Sequence, residues 1–130
     1  PRETVVAEKL EAMVQLGMVN SRMKDFYDLL VLSRTFDFDG ELLTRAIHAT
    51  FERRGTPLPA NLPVALTSAF ADDPTKKVQW SGFVRKASVD DAGSLTETVE
   101  EVAAFAERPL MAASKGSTFA ARWRAHGPWG

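Results

Sequence analysis

The apolar residues of this chain recur with the period of an α-helix over most of its length, and this pattern restricts the fold to packed helices. On a helix with about 100° per residue, Leu95, Val99, Val102 and Ala106 fall within an arc of roughly 60°. No segment alternates as a strand does, and no internal repeat is visible. Because 130 residues suffice for one core, we predict a single all-α domain of about five helices over 1–130, with an irregular tail at 115–130.

Capping residues predict where these helices begin and end. Short polar side chains accept hydrogen bonds from free N–H groups at a helix start, and glycine readily adopts the left-handed conformation that ends a helix. The first helix is predicted from Thr4 to Gly17, and the second after the break at Asn20 and Ser21. The other signals are Asp39 and Asp73 as N-caps, Pro74 as a first helical residue, Gly55 as a stop, and Pro109 as the residue that interrupts or ends the last helix.

Composition excludes several classes of protein. The formal net charge is −1, so binding to nucleic acid or to a membrane would need a local patch. Cysteine is absent, which excludes disulfides and thiolate metal sites and is typical of a reducing compartment. No apolar run approaches the roughly 18 residues of a membrane span, and no signal peptide is visible. We therefore expect a cytoplasmic protein that does not bind a membrane.

Lys9 lies on the apolar side of its predicted helix. With Val5 at zero, Lys9 projects near 40°, between Leu16 and Met13. A lysine at such a position either covers apolar surface with its alkyl stem or faces an internal cleft. An unpaired buried ammonium is costly, so the second interpretation requires an anion nearby.

Charged residues alternate in sign at the start of the second predicted helix, in "NSRMKDFYDLL". Asp25 and Asp28 project about 60° apart on the side opposite the main apolar face, with Arg22 and Lys24 beside them. Such a run usually forms a solvated helix face. Carboxylates beside a phosphate-binding cation are also what metal-assisted nucleotide chemistry requires, so both interpretations stay open at this point.

The positions of the remaining candidate residues indicate structural roles. Asp39 in "DFD" is better explained as an N-cap than as a metal ligand, and His48 falls on a polar helix face without a second ligand at suitable spacing. The tail "AARWRAHGPWG" combines arginine, His126 and tryptophan, a mixture that can bind single-stranded nucleic acid. We favour instead that Trp123 and Trp129 dock the tail onto the body.

Three stretches together resemble the C-terminal half of the nucleotidyl transferase AbiEii/AbiGii toxin family. They are "AEKLEAMVQLG", "NSRMKDFYDLL" and "FDGELLTRAIHATFERRGTPLP". The most specific element is the pattern Arg-x-Lys-Asp-x-x-Asp-Leu at 22–29, and the upstream lysine is the second. The resemblance implies a two-domain protein similar to DNA polymerase β-type nucleotidyltransferases, in which an N-terminal mixed-sheet domain carries a Gly-Ser loop and paired aspartates. Those motifs are missing here, and the chain starts at Pro1 rather than Met, so we expect a piece of a longer protein that is inactive alone.

By this resemblance, Lys9 would contact the nucleoside triphosphate and Asp25 would be the catalytic acidic residue. Arg22, Lys24 and Asp28 would support them, and no metal ligand is expected within this chain. The full-length protein is implied to use Mg²⁺ and an NTP, with neither expected to bind this piece alone. It is also implied to act in bacterial toxin–antitoxin and abortive-infection systems, with tRNA as acceptor and a cognate antitoxin.

The alternative function is a non-enzymatic helical module that binds a partner protein or RNA. Such a module is expected to expose an apolar patch without a cluster of Lys9, Arg22 and Asp25.

Overall fold

A computed structural model describes the whole chain, Pro1–Gly130, and confirms the all-α prediction with six α-helices and one two-stranded sheet. The helices are α1 (Arg2–Leu16), α2 (Met23–Thr35), α3 (Gly40–Arg54), α4 (Ser68–Ala71), α5 (Pro74–Ala87) and α6 (Leu95–Lys115). The strands β1 (Phe38–Asp39) and β2 (Arg122–Trp123) are antiparallel. Two 3₁₀ turns, Gly17–Val19 and Val64–Leu66, lie in the connections. None of the six α-helices combines the length and the hydrophobicity that a membrane span requires.

The longest helix, α6, packs against both α2 and α3, while α1 packs against α3 and α2. One continuous apolar core lies between them, and its largest fully buried side chains include Phe26, Phe51 and Phe105. Arg34 of α2 joins α6 through two hydrogen bonds to Glu101, at 2.6 and 2.8 Å. The packing of α1 against α2 is what brings the charged residues of the two helices together.

Most predicted helix boundaries are confirmed. Asp39 accepts hydrogen bonds from the N–H groups of Glu41 and Leu42, and Asp73 accepts one from Lys76. Gly55 ends α3 in the left-handed conformation. The first helix is an exception, since it begins at Arg2 and includes Thr4 in its first turn.

The prediction that Pro109 interrupts or ends the last helix is wrong, because α6 continues through Pro109 to Lys115. A proline has no N–H group, so the carbonyl four residues earlier, at Phe105, lacks its helical donor. Trp129 in the tail supplies one, with Nε1 donating to the Phe105 oxygen at 2.8 Å. The indole thus replaces the missing backbone hydrogen bond.

The tail after α6 is more ordered than the prediction of an irregular segment. Its residues 122 and 123 form β2, and Arg122 and Gly130 exchange two backbone hydrogen bonds. Trp123 donates from Nε1 to the Ser33 carbonyl at 2.7 Å, and both tail tryptophans are buried. The expectation that the tryptophans dock the tail onto the body is confirmed.

Candidate functional site

Lys9 and the two aspartates of α2 form an ion-pair cluster between α1 and α2. The Lys9 Nζ atom lies 3.1 Å from Asp25 Oδ1 and 3.1 Å from Asp28 Oδ2. The side chain of Lys9 is 21% exposed, that of Asp28 24%, and that of Asp25 only 9%. The lysine on the apolar side of α1 therefore has the anionic partners that its position requires.

Arg22 and Lys24 complete the cluster from its solvent side. Arg22 Nε lies 3.3 Å from Asp25 Oδ2, and Lys24 Nζ lies 2.8 Å from Asp28 Oδ2. Both cations are mostly exposed, at 59% and 75%. Three cations thus surround two carboxylates, and the cluster keeps one excess positive charge. All five residues singled out from the sequence are brought together, although their roles in chemistry remain predictions.

The ion pairs shift the protonation equilibria of Lys9 and Asp28 in opposite directions. Burial by itself lowers the pKa of Lys9, but hydrogen bonds and charge attraction from Asp28 and Asp25 outweigh it, so the pKa is raised. Burial by itself raises the pKa of Asp28, but the ammonium groups of Lys24 and Lys9 outweigh it, so this pKa is lowered. Both residues are therefore charged near neutral pH.

Asp25 carries a buried oxygen with no hydrogen bond. Its Oδ1 accepts from Lys9, whereas Oδ2 has only the ionic contact with Arg22 and no donor in hydrogen-bonding geometry. Such an unsatisfied acceptor is costly, by about 1–3 kcal/mol. A hydroxyl or amino group that reaches Oδ2 could supply the missing hydrogen bond.

Two cavities meet at Asp25. The first, of about 390 Å³, runs along α1 and includes Lys9, Glu11 and Arg22 in its lining. The second, of about 560 Å³, lies between the start of α2 and the helix α5, and Gln79 and Phe83 line it. Lys9 and Asp25 thus line one cavity, and Asp25 also lines the cavity on the α5 side.

A buried lysine of α5 holds the loop before α2 in place. Lys76 Nζ donates to the backbone oxygen of Asn20 at 2.7 Å, and Asn20 Oδ1 accepts from the N–H of Arg22 at 2.7 Å. Lys76 is 6% exposed and lies over the ring of Phe70. The role of Lys76 was not predicted from the sequence, although its position one turn before Trp80 places it on the apolar side of α5 and could have indicated a buried role.

The residues at this site do not fit Mg²⁺. A magnesium ion prefers oxygen ligands in octahedral geometry, whereas Asp25 and Asp28 share the ammonium of Lys9, which lies 3.1 Å from each. No group of three or more His, Asp or Glu side chains converges anywhere in the chain. The carboxylates of this cluster serve as partners of cations.

The remaining candidate residues lie elsewhere. His48 is exposed, and its Nδ1 lies 3.8 Å from Glu52 on the same helix, so the prediction of a surface residue is confirmed. The N–H of His126 donates to the Ser33 carbonyl at 2.9 Å, within the docked tail.

Comparisons with known proteins agree with the family that the sequence motifs around this cluster resemble. A family model described as nucleotidyl transferase AbiEii toxin, type IV TA system, matches residues 1–108, which include all five cluster residues. Curated proteins and solved structures give no match. Because the match covers most of the chain, the protein belongs to the nucleotidyl transferase AbiEii toxin family of type IV toxin–antitoxin systems.

Proposed function

We propose that this helical domain supplies one wall of the active site of a nucleotidyl transferase toxin, which transfers a nucleotide from an NTP to an RNA acceptor such as tRNA. The observation that carries the proposal is the position of Asp25, whose side chain lines a cavity beside Lys9 and whose Oδ2 is a buried acceptor without a hydrogen bond. A carboxylate oxygen without a hydrogen bond can accept the proton of an attacking hydroxyl group.

In the proposed reaction, Asp25 acts on the acceptor hydroxyl group and Lys9 binds a phosphate oxygen. The acceptor hydroxyl attacks the α-phosphorus of the NTP, the bond from that phosphorus to the bridging oxygen breaks, and pyrophosphate leaves. Asp25 takes the hydroxyl proton. Lys9 has three N–H donors and uses two of them on Asp25 and Asp28, so the third is available to a phosphate oxygen.

Arg22, Lys24 and Asp28 are proposed as supporting residues. Arg22 and Lys24 place positive charge at the mouth of the cluster, where it favours a polyphosphate. Asp28 makes a second contact with the Lys9 ammonium beside that of Asp25, and this second contact orients the ammonium. Fixed charges of this kind contribute to catalysis because they need no reorganisation during the reaction.

We further propose that Mg²⁺ is held by residues outside this cluster. The resemblance implies paired aspartates and a Gly-Ser loop on a sheet domain that precedes this one in the full-length protein. The carboxylate oxygens of Asp25 and Asp28 already form ion pairs with lysine and arginine side chains. This pairing supports a metal site that is formed by other residues. The metal would neutralise charge on the phosphates.

The test is incorporation of labelled NTPs into tRNA by the full-length gene product with Mg²⁺. We expect Asp25→Asn to lower the rate by about 10²–10⁴-fold, the usual contribution of a general base. Asp90→Asn, which changes an exposed aspartate outside the cluster, is the matched control and should leave the rate unchanged. Absence of incorporation by the unaltered protein would favour the non-enzymatic interaction module. Full activity of Asp25→Asn would show that Asp25 is not the base.

A further inference from the structure

Lys76 of α5 carries a buried ammonium group without an acidic partner. The residue is 6% exposed, and no carboxylate lies within ion-pair distance of its Nζ atom. Asp73 accepts a hydrogen bond from the backbone N–H of Lys76 and not from its ammonium group. The ammonium donates only to the Asn20 backbone oxygen and lies 5.1 Å from the centre of the Phe70 ring. A buried cation with so few partners is costly for stability.

Asn20, which accepts this hydrogen bond, also has an unsatisfied group. It is fully buried, and its Nδ2 atom donates no hydrogen bond. Its Oδ1 atom accepts from the backbone N–H of Arg22 at 2.7 Å, and this contact orients the amide. Two neighbouring polar residues therefore each lower the stability of the fold. Proteins retain such costs mainly at functional sites.

Three hydrogen bonds in series lead from Lys76 to Asp25. Lys76 Nζ donates to the Asn20 backbone oxygen, and the Asn20 side chain accepts from the N–H of Arg22. The carbonyl of Arg22 in turn accepts from the N–H of Asp25 at 3.0 Å. The helix α2 has no side-chain N-cap of its own. The conformation of the segment at its start therefore depends on these contacts from α5.

The polar and the apolar contacts of Lys76 can be separated. Its side chain lies over the ring of Phe70, which stacks on Phe26 of α2 with ring centres 5.2 Å apart. A hydrocarbon side chain could keep this packing, but only a donor can bind the Asn20 oxygen. Replacement of a buried charge by an apolar side chain is often neutral or stabilising. Stability alone therefore does not explain a lysine at this position.

We propose that Lys76 and Asn20 are positioning residues for nucleotide transfer, which fix the segment before α2 and so orient the Asp25 carboxylate towards the acceptor hydroxyl group. This inference rests on the proposed function. A reacting group that is misplaced by about 1 Å can cost about 10²-fold in rate. Lys9 belongs to α1 and is not held by this segment, so phosphate binding should depend less on Lys76 than proton transfer does.

The first experiment measures amide hydrogen exchange of the chain by NMR and needs no activity. In Lys76→Met, the N–H groups of Arg22 and Asp25 should exchange about tenfold faster, because the loss of one hydrogen bond changes a local opening equilibrium by about this factor. The core amides of Phe51 and Phe105 report on global unfolding and should change less. Equal acceleration at all four amides would mean that Lys76 stabilises the whole fold, and it would overturn the inference.

The second experiment measures incorporation of labelled NTPs into tRNA by the full-length gene product. Lys76→Met should lower kcat by about tenfold and change the KM for the NTP less, because Asp25 is misplaced while Lys9 stays. Lys77→Met is the matched control, since it removes the adjacent exposed lysine and should leave kcat unchanged.

A pair of substitutions at Asn20 tests the same series of hydrogen bonds without a change at Lys76. Asn20→Asp keeps an acceptor for the N–H of Arg22 and should retain most of kcat. Asn20→Ala removes that acceptor and should lower kcat as Lys76→Met does. The double variant Lys76→Met/Asn20→Ala should be no slower than the slower single variant, because both changes interrupt one path.

The outcomes separate this inference from the proposed function. In an active protein, an unaltered kcat in both Lys76→Met and Asn20→Ala would overturn the positioning role and leave the proposed function standing. Absence of incorporation by the unaltered protein would overturn both. The exchange rates would then still show whether Lys76 fixes the segment before α2.

Discussion

Lys9 of α1 and Asp25 of α2 are joined by a 3.1 Å ion pair in which the carboxylate is almost fully buried. The pair links the two helices beside the cavity where we propose that nucleotide transfer takes place. Because the same contacts hold the helices together, the stability of the domain reports on the cluster independently of any activity. Substitutions at Lys9 can therefore be tested by protein stability alone.

Removal of the Lys9 ammonium should destabilise the domain. In Lys9→Met, Asp25 and Asp28 lose their shared partner while Asp25 remains buried, and we expect a loss of about 2 kcal/mol in the free energy of unfolding. This is less than the roughly 3–5 kcal/mol of a fully buried pair, since Lys9 is one-fifth exposed. Urea unfolding at pH 7 measures the loss. Lys24→Met is the control, because it removes an exposed i,i+4 partner of the same Asp28 and should cost only about 0.2–0.5 kcal/mol.

The stabilisation by Lys9 should depend on pH in a defined direction. The pKa of Asp28 is lowered from 3.8 in the folded state, so its contribution is present above that value and is lost as the pH falls through the lowered pKa. The pKa of Lys9 is raised from 10.5, so its contribution is lost only as the pH rises through the raised value.

We therefore expect the difference in unfolding free energy between the unaltered chain and Lys9→Met to be constant from about pH 5 to 9 and to shrink below about pH 4. Urea titrations at a series of pH values measure this difference. A difference that persists undiminished at pH 2 would mean that packing of the lysine stem, rather than its charge, stabilises the domain.

Gly40 should tolerate no side chain. A Cβ atom there would lie 2.7 Å from the carbonyl oxygens of Phe119 and Ala121, which belong to the docked tail. Gly40→Ala should therefore cost about 1–3 kcal/mol, the usual effect of overpacking. Gly82→Ala is the matched control in open space within α5, and it should raise the stability by about 0.5–1 kcal/mol. Thermal unfolding compares the two variants, and equal effects would contradict the close approach of the tail.

Trp129 should become less important when Pro109 is replaced. Trp129→Phe removes the donor to the buried Phe105 carbonyl and should cost about 1–3 kcal/mol. In a Pro109→Ala background, the new N–H at position 109 can satisfy the same carbonyl. A double-mutant cycle should therefore give a coupling of about 1 kcal/mol between the two substitutions. Additive effects would mean that the indole stabilises the tail only by packing.

The arrangement of the cluster was partly predictable because helix geometry is periodic. Lys9 stood out since a cation on an apolar face needs a partner, and the pattern at 22–28 supplied candidates for that partner. The projection of α2 along its axis could not show which of Asp25 and Asp28 is buried, because burial depends on the neighbouring helix. In the structure Asp25 lies between α1 and α5, and its Oδ2 atom has no hydrogen-bond donor.

Local periodicity and side-chain chemistry were enough to predict the helices, most of their caps and the five charged residues of the cluster. The course of α6 through Pro109 and the role of Lys76 could not be predicted in this way, since both depend on partners distant in sequence. Trp129 lies 24 residues beyond the carbonyl that it satisfies, and Lys76 lies 56 residues beyond its own. Hydrogen bonds of this range leave no periodic signal, and they exist only once the chain has folded.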